Sequence, residues 1–504
     1  MSFGVPHRRK GIEAMKSGMM RFAAPAVMLL LGACATVQPP QSQHLQAAEA
    51  GVRDCAQWFQ STDAAVDAAG VRDREASPVS GFPYLRSTRF LAALMPAADT
   101  VALRRTWLEQ LRQADLQARA AELRNLSAVQ TADKNTAMAQ RCGALLLGRD
   151  MLQPELVSML AERVSVPDAY SDGLRIVGLY GLTRIPFAGG VAQWHAEARA
   201  MFENSRKGVA SAHPVERYVP AGIVRYSRAE VSGLLKRADP ALGLLSLNAD
   251  ETSRLLATYA PVFEVETTGE FDRPGALRWG EARHPVLDTQ KPVVYQRLTY
   301  TRYGGQTLVQ LVYTMWFGER PVDKSFDILA GGLDGLVWRV TLAPDGEPLV
   351  FDTMHPCGCY HMFFPTQRAD AKPAPDPDDE WAFIPATLTR VQENEQIRLR
   401  IATRSHYLLD VGVQPVAAAA RGYEILDEQV LRSLPLPGGG YRSIYGADAL
   451  VAGTERGERF LFWPMGIPSA GAMRQWGNHA TAFLGRRHFD DADLLERRFR
   501  LTLH

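Results

Sequence analysis

The run Val293-Val294-Tyr295-Gln296-Arg297-Leu298-Thr299-Tyr300-Thr301, followed by Tyr303-Gly304-Gly305-Gln306 and then Leu308-Val309-Gln310-Leu311-Val312-Tyr313-Thr314-Met315-Trp316-Phe317, decides the fold. β-Branched and aromatic residues fill both arms, and the glycine pair between them is turn chemistry. The stretch reads as a β-hairpin. Working outward, residues 262–267 alternate apolar and polar, while 335–342 and 348–351 flank Ala343-Pro344-Asp345-Gly346, a second turn. Successive hairpins build an antiparallel sheet. After a Pro- and Asp-rich loop over 366–379, strands are expected near 397–401 and 406–411, and 460–463 also has strand character.

The chain upstream has a different texture. Leu103, Trp107, Leu111, Ala114, Ala118 and Ala121 recur every three or four residues, the stripe of an amphipathic helix. A further helix is expected over 137–147, and another from Pro154, which suits a first helical turn, to about Arg163. Residues 173–187 are apolar but dotted with glycines, which suggests a buried connector or an interfacial loop. Helical character resumes over 193–202, where His195 beside Trp194 reads as structural. The expectation is an α+β protein. An N-terminal helical domain (48–250) precedes a larger, mainly antiparallel β domain with peripheral helices (251–504). A length of 504 residues agrees with two or three domains.

Composition excludes some roles. Lys+Arg and Asp+Glu nearly balance at 56 and 55, so the basic excess of a nucleic-acid binder is missing. A Gly-rich phosphate loop, a Gly-x-Ser-x-Gly elbow and a His-Glu-x-x-His helix are also absent from the sequence.

The N-terminus carries an export pattern. Arg8, Arg9, Lys10, Lys16 and Arg21 precede the apolar run Ala23–Leu31, which is far shorter than a spanning helix. Met15 or Met19 would serve as the start as well as Met1. Leu31-Gly32-Ala33-Cys34 resembles the lipobox of bacterial lipoproteins. The resemblance implies a signal peptide over 1–33, diacylation of Cys34, a tether over 34–47, and a membrane partner reached through lipid. Ala35 after the Cys, rather than Asp, implies the outer membrane, with the body facing the periplasm. That compartment is oxidising, and removing Cys34 leaves four cysteines. Cys55 with Cys142 is the natural long-range pair, a bridge worth about 4 kcal/mol through chain entropy.

The densest chemistry lies in Met354-His355-Pro356-Cys357-Gly358-Cys359-Tyr360-His361-Met362. His355, Cys357, Cys359 and His361 form a soft donor set suited to Zn or Cu. A straight strand would spread the four by roughly 20 Å, so only a Gly-centred turn could gather them. His406, His479 or His488 could then complete a site. A redox dithiol is the second possibility, with neighbouring histidines favouring the thiolate. A structural disulfide or packed thiols is the third, and a Cys/His hydrolase near Asp352 the fourth. Weaker candidates are Glu264 with Glu266, and the group Asp490, Asp491 and Asp493. The functional expectation is a binding or envelope-maintenance protein using this turn. The alternative is an envelope enzyme, a thiol oxidoreductase or metal-dependent hydrolase. The protein or small-molecule partner is left open.

Overall fold

The stretch 293–317 forms the hairpin of strands β3 (Val293–Tyr303) and β4 (Gln306–Arg320), closed at Gly304 and Gly305, both with positive φ. The structure is a computed structural model that describes residues 45, 49–95, 100–208, 211–222, 224–376, 378–416 and 421–504. The expected signal segment 1–33, Cys34 and all of the tether 34–47 but Leu45 lie outside the described residues. One compact unit runs from Ser42 to His504.

The hairpin sits in the middle of a ten-stranded sheet. Its strands, besides β3 and β4, are β1 (Val215–Pro220), β2 (Val262–Glu266), β5 (Gly331–Leu342), β6 (Pro348–Met354), β7 (Met362–Pro365), β8 (Glu395–Ile401), β9 (Leu408–Pro415) and β10 (Arg421–Asp427). Their order is β7-β6-β5-β4-β3-β10-β1-β2-β8-β9. Neighbours from β7 to β3 run antiparallel, as do β1 with β2 and β8 with β9. The contacts β3–β10, β10–β1 and β2–β8 are parallel. The protein is α+β, with helices preceding a mainly antiparallel sheet.

Burial explains the stability of the central strands. Tyr313, Met315, Phe317, Trp338 and Val340 pack in one large core with Phe263 and Leu399. Each such side chain contributes about 1.5–3 kcal/mol on leaving water. Polar groups carried inward are paired, as where Tyr313 Oη donates to the carbonyl of Leu256 at 2.6 Å.

The N-terminal helices include α1 (Ala50–Ala68), α2 (Val101–Leu126) and α3 (Val129–Asp150), and a further helix spans Pro154–Arg163. Cys55 of α1 and Cys142 of α3 are joined by a disulfide. Trp107, Leu111 and Ala118 are buried in α2, but so are Asp115, Arg119 and Glu122 on the same helix. These charges meet Arg86, which donates to Asp115 (3.1 Å) and to both oxygens of Glu122 (2.9 and 2.8 Å). Arg86 belongs to a small hairpin, Ser77–Val79 with Phe82–Ser87, inserted in a region whose composition reads as helical. Gly81, at φ 86°, makes that turn possible.

Two local readings are corrected. Residues 173–187 are not a buried connector: a helix over Asp172–Val177 leads into α4 (Tyr180–Arg206), and their apolar residues are largely exposed. The side chain of Ser171 caps the first helix by accepting from the N–H of Leu174, and the glycines of 173–187 do not break the helices. Residues 460–463 are not a strand either. Arg459–Phe462 is a short helix and Trp463–Met465 a 3₁₀ turn ending at Gly466, with Phe460 and Leu461 both facing solvent.

Candidate functional site

Strand β6 ends at Met354 and β7 begins at Met362, so the expected Cys/His stretch is the connection between two antiparallel neighbours. It is a tight turn. Pro356 fixes its second position, Gly358 N–H donates to the carbonyl of His355 at 2.8 Å, and His355 N–H donates to that of Cys359 at 3.0 Å. Gly358 has φ +91°, and a Cβ there would lie 2.4 Å from the carbonyl oxygen of Ala480. Only glycine fits. The segment 474–480 clamps the turn from outside: Arg474 N–H donates to the carbonyl of Pro356 at 2.9 Å, and His479 Nε2 lies 3.1 Å from that same oxygen.

The two histidines of the turn are separated into different carboxylate centres. His361 Nε2 lies 2.9 Å from Asp352 Oδ2. Asp352 also takes two hydrogen bonds from Arg339, at 2.9 Å from Nε and 2.5 Å from Nη2. Register dictates this, because the hairpin of β5 and β6 places Asp352 directly opposite Arg339. Arg339 completes its set by donating to the carbonyl of Phe489 at 2.6 Å and stacking 3.7 Å over that ring. Burial drives the His361 imidazole down to about 3, so it is neutral. Its Nδ1 is buried without a hydrogen-bond partner among the described residues.

His355 instead joins Asp334 of β5, with Nδ1 3.1 Å from Oδ1. The other oxygen of Asp334 faces His406 Nδ1 at 3.1 Å, and His406 Nε2 lies 3.4 Å from Asp272 Oδ1. The result is a buried chain, Asp272–His406–Asp334–His355. His406 stacks on Phe317 with centroids 4.1 Å apart and sits at φ 52°. Burial disfavours its charge, but the Asp272 and Asp334 carboxylates on either side prevail and raise it, which favours the imidazolium. Burial likewise works against the Asp334 carboxylate, yet His355 and Arg456 beside it hold the group well below the usual range. In His355 burial outweighs Asp334 and lowers the imidazole.

The ring of His355 borders a narrow gap shared with Trp194, Tyr360, Met362 and Tyr407. Tyr407 Oη donates to Tyr360 Oη at 2.9 Å, and Arg320 donates to Tyr407 at 3.1 Å. Glu458 adds a nearby carboxyl, which burial pushes up to about 7 against the pull of Arg456 and Arg320.

Cys357 and Cys359 lie between these centres as free thiols, the first buried and the second half-buried. The backbone N–H of Cys359 points at Cys357 Sγ over 3.4 Å. A hydrogen bond with Cys357, then burial, pushes the Cys359 thiol well above its ordinary value, with buried Arg474 pulling weakly the other way. The turn thus brings the two cysteines together and sends the two histidines elsewhere. Among the described residues, no three His, Cys, Asp or Glu side chains are grouped as a metal site requires.

The other sequence candidates find local partners. His488 lies between Asp168 (2.9 Å) and Asp491 (3.2 Å), and Asp490 pairs with Arg89 at 3.1 Å. Asp493 precedes the short helix Leu494–Arg498 and pairs with Arg497 at 3.0 Å. Glu264 and Glu266 face Arg398 and Arg400 of β8 at 3.1 and 3.4 Å. His195 stacks on Phe383 at 4.0 Å. Sequence reasoning missed Asp334, Asp272, Tyr407, Arg320 and Glu458. The one available signal was Asp334 itself, the lone carboxylate of a strand that is apolar but for Arg339 and Thr341, which needs a partner once buried.

Comparison with protein-family models, with curated proteins and with solved structures finds no match to this chain.

Proposed function

We propose that the chain is a bacterial lipoprotein, anchored through Cys34 and facing the periplasm from the outer membrane. On this reading the turn 355–361 serves a binding or envelope-maintenance role, through a dithiol centre at Cys357 and Cys359. The rigid, glycine-dependent turn that folds Cys359 N–H onto Cys357 Sγ, and so sets the two cysteines side by side, is the observation that carries it. Paired sulfurs beside a buried guanidinium, Arg474, suit a soft cation held as a thiolate complex, or a disulfide closed by the compartment's oxidants. A bound metal must displace the thiol proton, so the raised Cys359 thiol makes metal binding weaken as pH falls. The histidines then act as supports for the turn through Asp334 and Asp352, not as ligands. The Cys55–Cys142 bridge agrees with an oxidising compartment.

The test is the intact mass of the mature protein isolated from membranes without chelator. The expected result is a diacylated N-terminal Cys34, and either one Cu or Zn that is lost in Cys357→Ser or a second disulfide. An unmodified N-terminus sinks the anchor. Two alkylatable thiols with no metal sink the dithiol centre.

An enzyme is the rival reading, favoured by the Asp334–His355 pair, whose ring borders the gap beside Tyr360 and Tyr407. That arrangement orients an imidazole for proton transfer. The raised Cys359 thiol speaks against a thiol oxidoreductase, which needs a depressed one.

A further inference from the structure

The apolar segment 173–187 has no part in the dithiol centre, yet it is among the least ordinary surfaces of the molecule. Ile176, Val177, Leu179, Leu182 and Ile185 are exposed by 63–75%. Phe460 and Leu461 are exposed by 69% and 55% on the neighbouring helix. The two segments are packed together: Phe187 meets Phe462 with centroids 5.4 Å apart, Ser171 N–H donates to the carbonyl of Gly466 at 2.7 Å, and Gly178 lies against Pro464. Seven of the seventeen large exposed apolar side chains among the described residues therefore share one place. That is a patch, not the scatter normal on a soluble surface. From Tyr180 to Ala192 the only charged residue is Arg184. Further along the same helix, Ala198 and Phe202 are buried in the main core, so this face is amphipathic by construction.

We infer that this face rests on a lipid bilayer, lying in the interface without crossing it. Three observations favour lipid over a protein partner. Arg459-Phe460-Leu461-Phe462-Trp463 combines a cation stacked on Phe460 with aromatic residues, the chemistry that sits at headgroup level. No described helix is long and apolar enough to span, which leaves surface insertion. The third rests on the anchoring proposed above. From Cys34 to Leu45, the first described residue and one buried in the N-terminal core, the chain reaches about 38 Å at most. A unit of this size is roughly 60 Å across. The body is thus held against the membrane, and an apolar face is the part whose contact with it lowers the free energy.

The test uses the chain beginning at Ala35, which keeps the whole unit Ser42–His504 and carries no lipid. It is floated with vesicles of phosphatidylethanolamine and phosphatidylglycerol. The expected result is co-flotation, with Leu182→Glu plus Ile185→Glu lowering the partition coefficient about tenfold or more. Both positions are exposed, so the melting temperature should hold. Val101→Glu, on α2 and 79% exposed, should leave flotation unchanged. Failure of the Ala35 chain to float, or equal flotation of the double variant, overturns the inference. So does a dimer in solution that the double variant splits while vesicles take up neither form, which assigns the face to a second copy. Lipidation is read separately, from the N-terminal mass of the mature protein isolated from membranes, so an unmodified Cys34 there defeats the anchor while flotation of the Ala35 chain keeps the face.

Discussion

His355 and His361 stand at the two ends of one turn, and each faces an aspartate, yet the two centres are built differently. At Asp352 every charged bond is spent locally: Arg339 takes both oxygens, and His361 lies beside one of them as a neutral ring. At Asp334 the carboxylate is shared between two imidazoles, and the chain continues through His406 to Asp272. The first arrangement pins three strands. The second strings ionisable groups from the far side of β4 to a ring bordering a gap. The difference comes from charge balance. One aspartate opposite one arginine neutralises itself, whereas Asp334, whose Arg456 neighbour is 3.6 Å away, takes up the His406 imidazolium.

The largest consequence is that His406 loses its contribution at the opposite end of the pH scale from the histidines that burial lowers, His355, His361 and His479. His361 and His479 are neutral when folded, their imidazoles lowered by burial to about 3, against an unfolded value of 6.5. Their contribution is complete above pH 6.5 and is lost as pH falls toward 3, at about 1.4 kcal/mol per pH unit for each. From pH 6 to pH 4 the two together should cost about 5 kcal/mol. His406 has the reverse sign. Its folded pKa is raised, so its contribution is complete below the unfolded value and fades as pH rises through the folded one. Guanidinium unfolding of the wild type at pH 4, 6 and 8, repeated with His361→Phe, measures this. Identical pH slopes in the two proteins would break the comparison.

Next in size is Asp352→Ala, which leaves Arg339 buried and unpaired and should cost about 3–5 kcal/mol. Asp334→Asn should cost less, about 1–3 kcal/mol, because Arg456 keeps its bonds to the carbonyls of Gly471, Leu329 and Leu333. Its mark should be the NMR titration of His406, shifted downward on losing one carboxylate. If Asp334→Asn proves the costlier of the two, or leaves His406 unmoved, the roles assigned to the centres are exchanged.

The legibility of these features from sequence follows the range over which each is encoded. The hairpin of β3 and β4 is readable because alternation and the Gly304-Gly305 turn lie within 25 residues. The bridge Cys55–Cys142 follows from counting cysteines once the N-terminus is read as an export signal, and the site's turn from Pro356 and Gly358. The parallel contacts of β10 with β1 and β3 are not readable, because each joins segments over a hundred residues apart with no turn between them to fix register. The same holds for the chain from Asp272 to His355, whose members come from four separate segments. The helical form of 173–187 was hidden for another reason: its apolar residues serve a surface, and patterning assumes they serve a core.

The smallest expected effect is at the thiols between the centres, and it bears most directly on function. Cys359 is held up by its neighbour first and by burial second. Cys357→Ser replaces a buried sulfur with a hydroxyl and should cost about 1 kcal/mol or less. It also removes the thiol that raises Cys359 most, leaving burial and Glu458 to raise it and Arg474 to lower it. The alkylation rate of Cys359 by iodoacetamide, followed against pH in the metal-free reduced protein, should then show an inflection lower than in the wild type. An unmoved inflection would mean that burial alone sets the thiol and that the two sulfurs act separately. In that case the turn loses its claim to be a dithiol centre, and His355 beside the gap becomes the stronger candidate.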